Sequence, residues 1–109
     1  MNLDLRNGED DQSQRMLNAI EPGSDIPIHR HRDSSETVVC IRGRIVEEFY
    51  DDLDRCCTEA IELSPNGQVV ALNIPVGQRH TLKALESGTV IMEMKNGAYE
   101  PQKDEDILK

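Results

Sequence analysis

GSDIPIHRHRDSSETVVCIRG, residues 23 to 43, is the stretch on which the fold turns. Two of the chain's three histidines, His29 and His31, stand on alternate positions, and Glu36 follows five residues later. Successive side chains of a strand point to opposite faces, so the two imidazoles project the same way and Arg30 and Arg32 the other. Thr37–Ile41 is a β-branched run, and Gly43 closes it in a tight turn with Arg42. A glycine turn, a strand carrying paired histidines, a short polar turn and a second strand make a compact β unit.

Working outward, the same alternation of short strands and turns continues in both directions. Arg15–Ile20 reads as a strand ending at Glu21-Pro22-Gly23-Ser24, a turn signal. Arg44–Tyr50 is expected to return as the hairpin partner of Thr37–Ile41. Asp51–Arg55 reads as a loop, with Asp51, Asp52 and Asp54 a solvated charge cluster. Glu59–Leu63 and Gln68–Ile74 flank Ser64-Pro65-Asn66-Gly67 as a second expected hairpin. His80–Leu85 and Thr89–Lys95 flank Glu86-Ser87-Gly88 as a third. No stretch sustains a helical apolar period, so the expected class is all-β, a sandwich or barrel of antiparallel strands. The expected organisation is a polar N-terminal arm (1–13), a β-barrel (14–97) and a charged, loosely held C-terminal tail (98–109). Within the arm, the alternation of Met1–Arg6 suits an edge strand or a swapped segment.

Composition limits the functions. A chain of 109 residues with net charge -9 carries no basic excess for nucleic acid or an anionic membrane surface. No apolar run reaches the length of a membrane span, and MNLDLRNGEDDQSQ has no apolar segment of the signal-peptide kind. The three cysteines, Cys40, Cys56 and Cys57, form no C-x-x-C pair. They read as reduced thiols of a cytoplasmic protein, with Cys40 a small buried hydrophobe.

The third histidine, His80, follows the bend Pro75-Val76-Gly77, which can aim a side chain inward. If the strand opened by Glu36 lies antiparallel to the His29–His31 strand, its carboxylate stands beside them. Three neutral imidazoles and one carboxylate suit Zn, Fe, Ni, Mn or Cu and leave positions for water or substrate. An H-x-H pair alone is weak evidence, since surface histidines are usually only solvated. Here every histidine of the chain falls on the ligand set, which favours a metal site at His29, His31, Glu36 and His80.

The spacing Gly23, His29, His31, Glu36, Gly43 resembles the first motif of the cupin superfamily at every anchor position. Pro75-Val76-Gly77-Gln78-Arg79-His80 resembles the core of the second motif. The resemblance spans about residues 14 to 97 and implies a small single-domain jelly-roll barrel. Two departures are visible. Gly67 stands eight positions before Pro75, further than the motif has it, and Ala84 replaces the usual closing asparagine. Within cupins the chain is most similar to WbuC-type cupin fold metalloproteins, through Arg15–Gly23, His29-Arg30-His31, Glu36-Thr37, Arg42-Gly43-Arg44, His80-Thr81-Leu82 and Glu93–Tyr99. That resemblance implies one divalent transition metal (Zn, Fe, Ni or Mn), a small-molecule ligand and a link to surface-polysaccharide metabolism.

The alternation further places Val38, Cys40, Leu82 and Ala84 inward, with Val90, Met92 and Met94 as an apolar lining below the ion. Gln78, Arg79 and Tyr50 are the candidate substrate-binding groups at the mouth, each also readable as a packing or surface residue. Val39 and Ile41 face outward yet are apolar, which predicts cover by the second sheet or by a partner in a homodimer. Three functions fit: a metal-dependent enzyme, an Fe-dependent dioxygenase among them; a non-catalytic metal or ligand sensor; and a structural barrel with a vestigial site. A catalyst needs an acid or base beside the ion. The sequence points to few such groups beyond Glu36, so chemistry through the metal itself is the expected form of catalysis.

Overall fold

Among the described residues, ten strands form where β-branched and alternating residues run between turns, and they sort into two antiparallel sheets. The structure, a computed structural model, describes residues 1–53 and 55–108, so Asp54 of the expected charge cluster lies outside them. The strands are β1 (Asn2–Asp4), β2 (Ser13–Ile20), β3 (Ile28–His29), β4 (Glu36–Arg42), β5 (Ile45–Tyr50), β6 (Cys57–Leu63), β7 (Ala71–Ile74), β8 (Arg79–Ala84), β9 (Thr89–Asn96) and β10 (Ile107–Leu108). One sheet has the order β1-β2-β9-β4-β7 and the other β10-β3-β8-β5-β6. The inner faces enclose one core of Ile20, Val38, Cys40, Ile45, Leu63, Ile74, Leu82, Ala84 and Ile91. The all-β jelly-roll expectation is met.

The three expected hairpins are not hairpins. β4 pairs with β7 and β9, while β5 pairs with β6 and β8. The turns after β4, β6 and β8 therefore each carry the chain from one sheet to the other. Turn chemistry fixes a reversal of direction but not the partner. Crossing between sheets lets both flanking strands bury their apolar faces against each other, as Val38 and Cys40 do with Ile45 across the core. The pairing of β5 with β6 across Asp51–Cys56 is a true hairpin.

Both ends of the chain are tied into the barrel. β1 pairs with β2 as an edge strand, with Leu3 opposite Leu17. At the other end, β10 pairs with β3. The Asp106 carbonyl accepts a bond from the Arg30 amide at 2.9 Å, and its buried carboxylate accepts from Nε of both Arg30 and Arg32. Within the stretch expected to be a loosely held tail, β10 and the Asp106 carboxylate shared by two arginines hold residues 106–108 to the sheet edge. No helix among the described residues is long and apolar enough to cross a membrane.

The closed end of the barrel depends on Gly43. Its φ is +80°, and a Cβ there would stand 2.8 Å from the Thr89 Cα. Thr89 is fully buried and donates its hydroxyl to the Glu86 carbonyl at 2.7 Å. Gly43→Ala adds left-handed strain and a backbone clash, so it should cost about 2 kcal/mol or more in chemical denaturation. A midpoint unchanged from the parent would mean that this turn is not where the two sheets are pinned.

Candidate metal centre

Two registers, one in each sheet, assemble the site. In the β3–β8 pair His29 stands directly opposite His80. Directly opposed residues share a face, so both imidazoles enter the barrel. His31 lies just beyond β3, and its carbonyl accepts a 2.8 Å bond from the Gly77 amide of the Pro-Gly bend. Glu36 opens β4 in the facing sheet and is 2% exposed. One nitrogen from each of His29, His31 and His80 lies within 4.8 Å of the others, forming the group of the described residues able to hold a metal ion. Glu36 Oε2 is 3.1 Å from His31 Nε2 and 3.6 Å from His80 Nε2. All four residues singled out from sequence are thus brought together.

Ring orientation is set from behind. His29 Nδ1 lies 2.7 Å from the Pro27 carbonyl, and His80 Nδ1 lies 2.8 Å from Glu47 Oε1. A carbonyl can only accept, so His29 carries its proton on Nδ1 and leaves the Nε2 lone pair for the centre. The same tautomer of His80 donates to Glu47. His31 Nε2, His80 Nε2 and Glu36 Oε2 are buried and have no hydrogen-bond partner. Buried polar atoms in that condition are rare and costly. Here they face one another in the geometry that a bound cation satisfies, so the residues fit a metal.

Three charged residues of the interior were not foreseen. Glu47 is fully buried. Glu93 hydrogen-bonds to Glu36 and accepts from Asn18 Nδ2 at 3.3 Å. Lys95 stands opposite Glu36 in the β4–β9 register. The expected lining by Val90, Met92 and Met94 is corrected accordingly. Val38 faces Glu93 and Cys40 faces Ile91, so the odd-numbered residues of β9 point inward and the even ones outward. Both faces of β9 carry apolar groups, and only its register with β4 decides between them. For Glu47 a signal was present: Ile45, Glu47 and Phe49 share one phase, and Ile45 is fully buried.

Gln78, Arg79 and Tyr50 are not at the histidine cluster. Tyr50 pairs with Arg79, while Phe49 pairs with His80. Alternation therefore puts Tyr50 and Arg79 on the opposite face of the sheet. There Arg79 is held by Asp52 at 2.8 Å and the Glu105 carbonyl at 3.1 Å. Gln78 donates to the Tyr50 carbonyl at 3.1 Å, and the three line a small cavity of about 220 Å³ outside the barrel. Arg30 and Arg32 point away from the centre onto Asp106, as alternation requires.

Burial governs the electrostatics. It pulls each imidazole down to about 4: for His29 the His80 ring adds to this, for His31 the Lys95 ammonium does, and for His80 the Glu36 carboxylate opposes it. All three are neutral at pH 7, the form that ligates. Burial, reinforced by Glu93 and Glu48, pushes Glu47 up to about 8. Burial and the hydrogen bond that protonated Glu93 donates to Glu36 push Glu93 up to about 7.

Residues 1–63 match the model of a family described as a domain of unknown function, DUF6016. No curated protein matches the chain. Among solved structures, CapF bound to the inhibitor 3-isopropenyl-tropolone is 25% identical, with a TM-score of 0.68 over 92% of this chain and 29% of CapF. A further CapF structure, from Staphylococcus aureus, is described as a capsular polysaccharide assembling protein and is 22% identical, with a TM-score of 0.66 over 93% of this chain and 30% of that one. KdgF from Halomonas sp. is 17% identical, with a TM-score of 0.70 over 90% of this chain and 80% of KdgF. The oxalate decarboxylase of Bacillus subtilis, studied for its Mn(II) centres, is 15% identical, with a TM-score of 0.65 over 90% of this chain and 24% of that one. This chain thus spans under a third of CapF and a quarter of the decarboxylase. These neighbours are cupin-fold proteins, and the chain has the cupin fold.

The buried groups set a pH dependence for the metal-free protein. The three imidazoles titrate at about 4, below the ordinary 6.5, so stability falls as pH drops between those values. The two acids titrate at about 8 and 7, above the ordinary 4.5, so their contribution is full below 4.5 and lost as pH rises through those values. Thermal melts in chelator should peak at about pH 6. Glu47→Gln, which cannot ionise, should flatten the alkaline limb. A midpoint rising steadily from mildly acidic to alkaline pH in both proteins would contradict these protonation states.

Proposed function

Because the chain belongs to the DUF6016 family, whose description assigns no chemistry, we propose from the site itself that it is a metal-binding cupin acting on a small polar molecule. One divalent transition ion, Zn, Fe, Ni or Mn, would be held by His29, His31, Glu36 and His80. The observation that carries this reading is the set of buried atoms without partners, His31 Nε2, His80 Nε2 and Glu36 Oε2, aimed at one point. The Mn(II) centres of the B. subtilis decarboxylase support a cupin interior as a divalent-metal environment. The exposed thiol of Cys57, which is in no disulfide, suits a reducing, cytoplasmic setting.

A bound ion would supply Lewis acidity to an oxygen of the substrate. The chain's own residues do the rest. Pro27 and Glu47 hold the Nδ1 protons of His29 and His80, so that the Nε2 lone pairs stay available. Glu93 and Asn18 orient the Glu36 carboxylate from below. Glu93 also keeps a proton beside the site, an acid–base group of the kind that metal-assisted catalysis uses. A WbuC-type role in surface-polysaccharide metabolism is the context we favour. The residue-level resemblance supports it, as does the likeness to CapF, a capsular polysaccharide assembling protein.

Elemental analysis after reconstitution should find about one metal per chain. His80→Ala should lose most of it while keeping a parental circular dichroism spectrum. Glu47→Gln should weaken affinity by about tenfold to a hundredfold. Full metal content in His80→Ala would remove the fourth ligand.

We also propose a homodimer through the outer face of the β1-β2-β9-β4-β7 sheet. Register aligns Leu3, Leu17, Met92, Val39 and Ala71 in one row across all five strands. Leu3 is 56% exposed, and Ile41, at the bulge of β4, is 47% exposed. An apolar row of this length on a two-layer barrel has no third layer to cover it, and a second copy presents the same row about a two-fold axis. Light scattering should give a dimer at micromolar concentration, and Val39→Glu a folded monomer. A monomeric parent would discard this arrangement.

A further inference from the structure

The cavity at the barrel mouth is lined by four cationic side chains, Arg30, Arg32, Lys95 and Lys103, and by three acidic ones, Asp33, Glu100 and Asp106. Lys95 projects inward from β9, opposite Glu36 on one side and Gln14 on the other. It lines this cavity of about 530 Å³ beneath residues 97–103, together with His31, the one proposed ligand that reaches it. Its ammonium makes no hydrogen bond or ion pair among the described residues. The neighbouring cations are spoken for: Arg30 and Arg32 share the Asp106 carboxylate.

The acids nearest Lys95 do not complete it. Glu36 turns Oε2 toward His31 and His80. Glu93 sits one residue layer deeper, opposite Val38, and is engaged with Glu36 and Asn18. Glu47 is bound to His80 in the other sheet. Asp33 and Glu100 line the cavity but form no ion pair with Lys95, and neither Glu93 nor Glu47 lines it. With a divalent ion on three neutral imidazoles and one carboxylate, the mouth carries a further unit of positive charge beside open coordination positions. Lys95 adds a second. In a partly dehydrated cavity such a surplus draws an anion strongly.

We propose that Lys95 is the specificity-determining residue of this site and that the substrate presents a carboxylate, one oxygen toward the metal and the other on the Lys95 ammonium. The inference rests on the metal reading above and deepens it by naming the substrate class. A carboxylate fits better than a phosphate, because the arginine forks that recognise phosphate are already occupied by Asp106.

The experiment uses the full chain loaded with Co(II), whose visible absorption reports occupancy of the site. Acetate is titrated by calorimetry, with neutral acetamide as the control. The parent should bind acetate and not acetamide. Lys95→Met should weaken acetate binding by at least about tenfold, the scale of one charge-assisted contact, and Lys95→Arg should restore most of it. Lys95→Met should take up Co(II) as well as or better than the parent, since a repelling cation has gone; a residue of merely structural importance would weaken both. Acetate binding equal in the parent and Lys95→Met, or absent from a cobalt-loaded parent, overturns the inference and leaves the metal reading intact. Failure of the parent to take up cobalt overturns the metal reading and this inference with it.

Discussion

The register between β4 and β9 is the constraint on which the site depends. These strands come from opposite halves of the chain and meet in the middle of one sheet, with Glu36 against Lys95 and Val38 against Glu93. A slip of one residue would turn Glu93 and Lys95 out to solvent and bring Met92 and Met94 into the barrel. The partner register, His29 against His80, does the same work in the facing sheet. Neither register is local. The first is held by the apolar pair Cys40 and Ile91 further down the same two strands, and β8 is anchored for the second by Leu82 and Ala84, which pack in the core beside β5. The lower half of the barrel is an ordinary hydrophobic core, and its packing sets the positions of the polar upper half.

That upper half is costly to fold. Three imidazoles and three carboxyl groups are drawn from water into one end of a small barrel, and several of their polar atoms find no partner. Burial keeps the histidines neutral and favours the protonated form of Glu47 and Glu93, which limits the cost of buried charge. The arrangement is layered. The four proposed ligands form the rim, and below them Glu47 and Glu93 each brace one ligand, His80 and Glu36. Such bracing fixes ring tautomers and carboxylate angles before any ion arrives, so less ordering remains to be done on binding.

The chain ends complete the vessel from outside. The strand at Ile107–Leu108 lengthens the sheet that carries His29. Asp106 then gathers Arg30 and Arg32, the residues interleaved with the histidines, onto the outer face. The ion pairs that hold the C-terminal segment thereby also keep two guanidinium groups away from the cation site. The same segment roofs the cavity above Lys95. Fastening the terminus and shaping the mouth are one structural act.

How much of this was legible in the sequence follows from what alternation can and cannot say. Alternation of short apolar strands with glycine turns determined the all-β class. The placement of all three histidines and Glu36 on cupin-like anchor positions singled out the four side chains that the fold brings together, because those residues have few other reasons to recur at that spacing. Alternation also assigned Val38, Cys40, Leu82 and Ala84 to the interior correctly. Only the tertiary structure decided which sheet each strand joins, since a tight turn reverses the chain whether its strands pair or cross. Only the tertiary structure decided that Glu93 and Lys95 face the barrel interior with the histidine cluster, and that Tyr50 and Arg79 do not. A strand with apolar residues on both faces offers two phases of equal merit. The choice between them is made by backbone hydrogen bonds to a distant strand, and no local pattern records it.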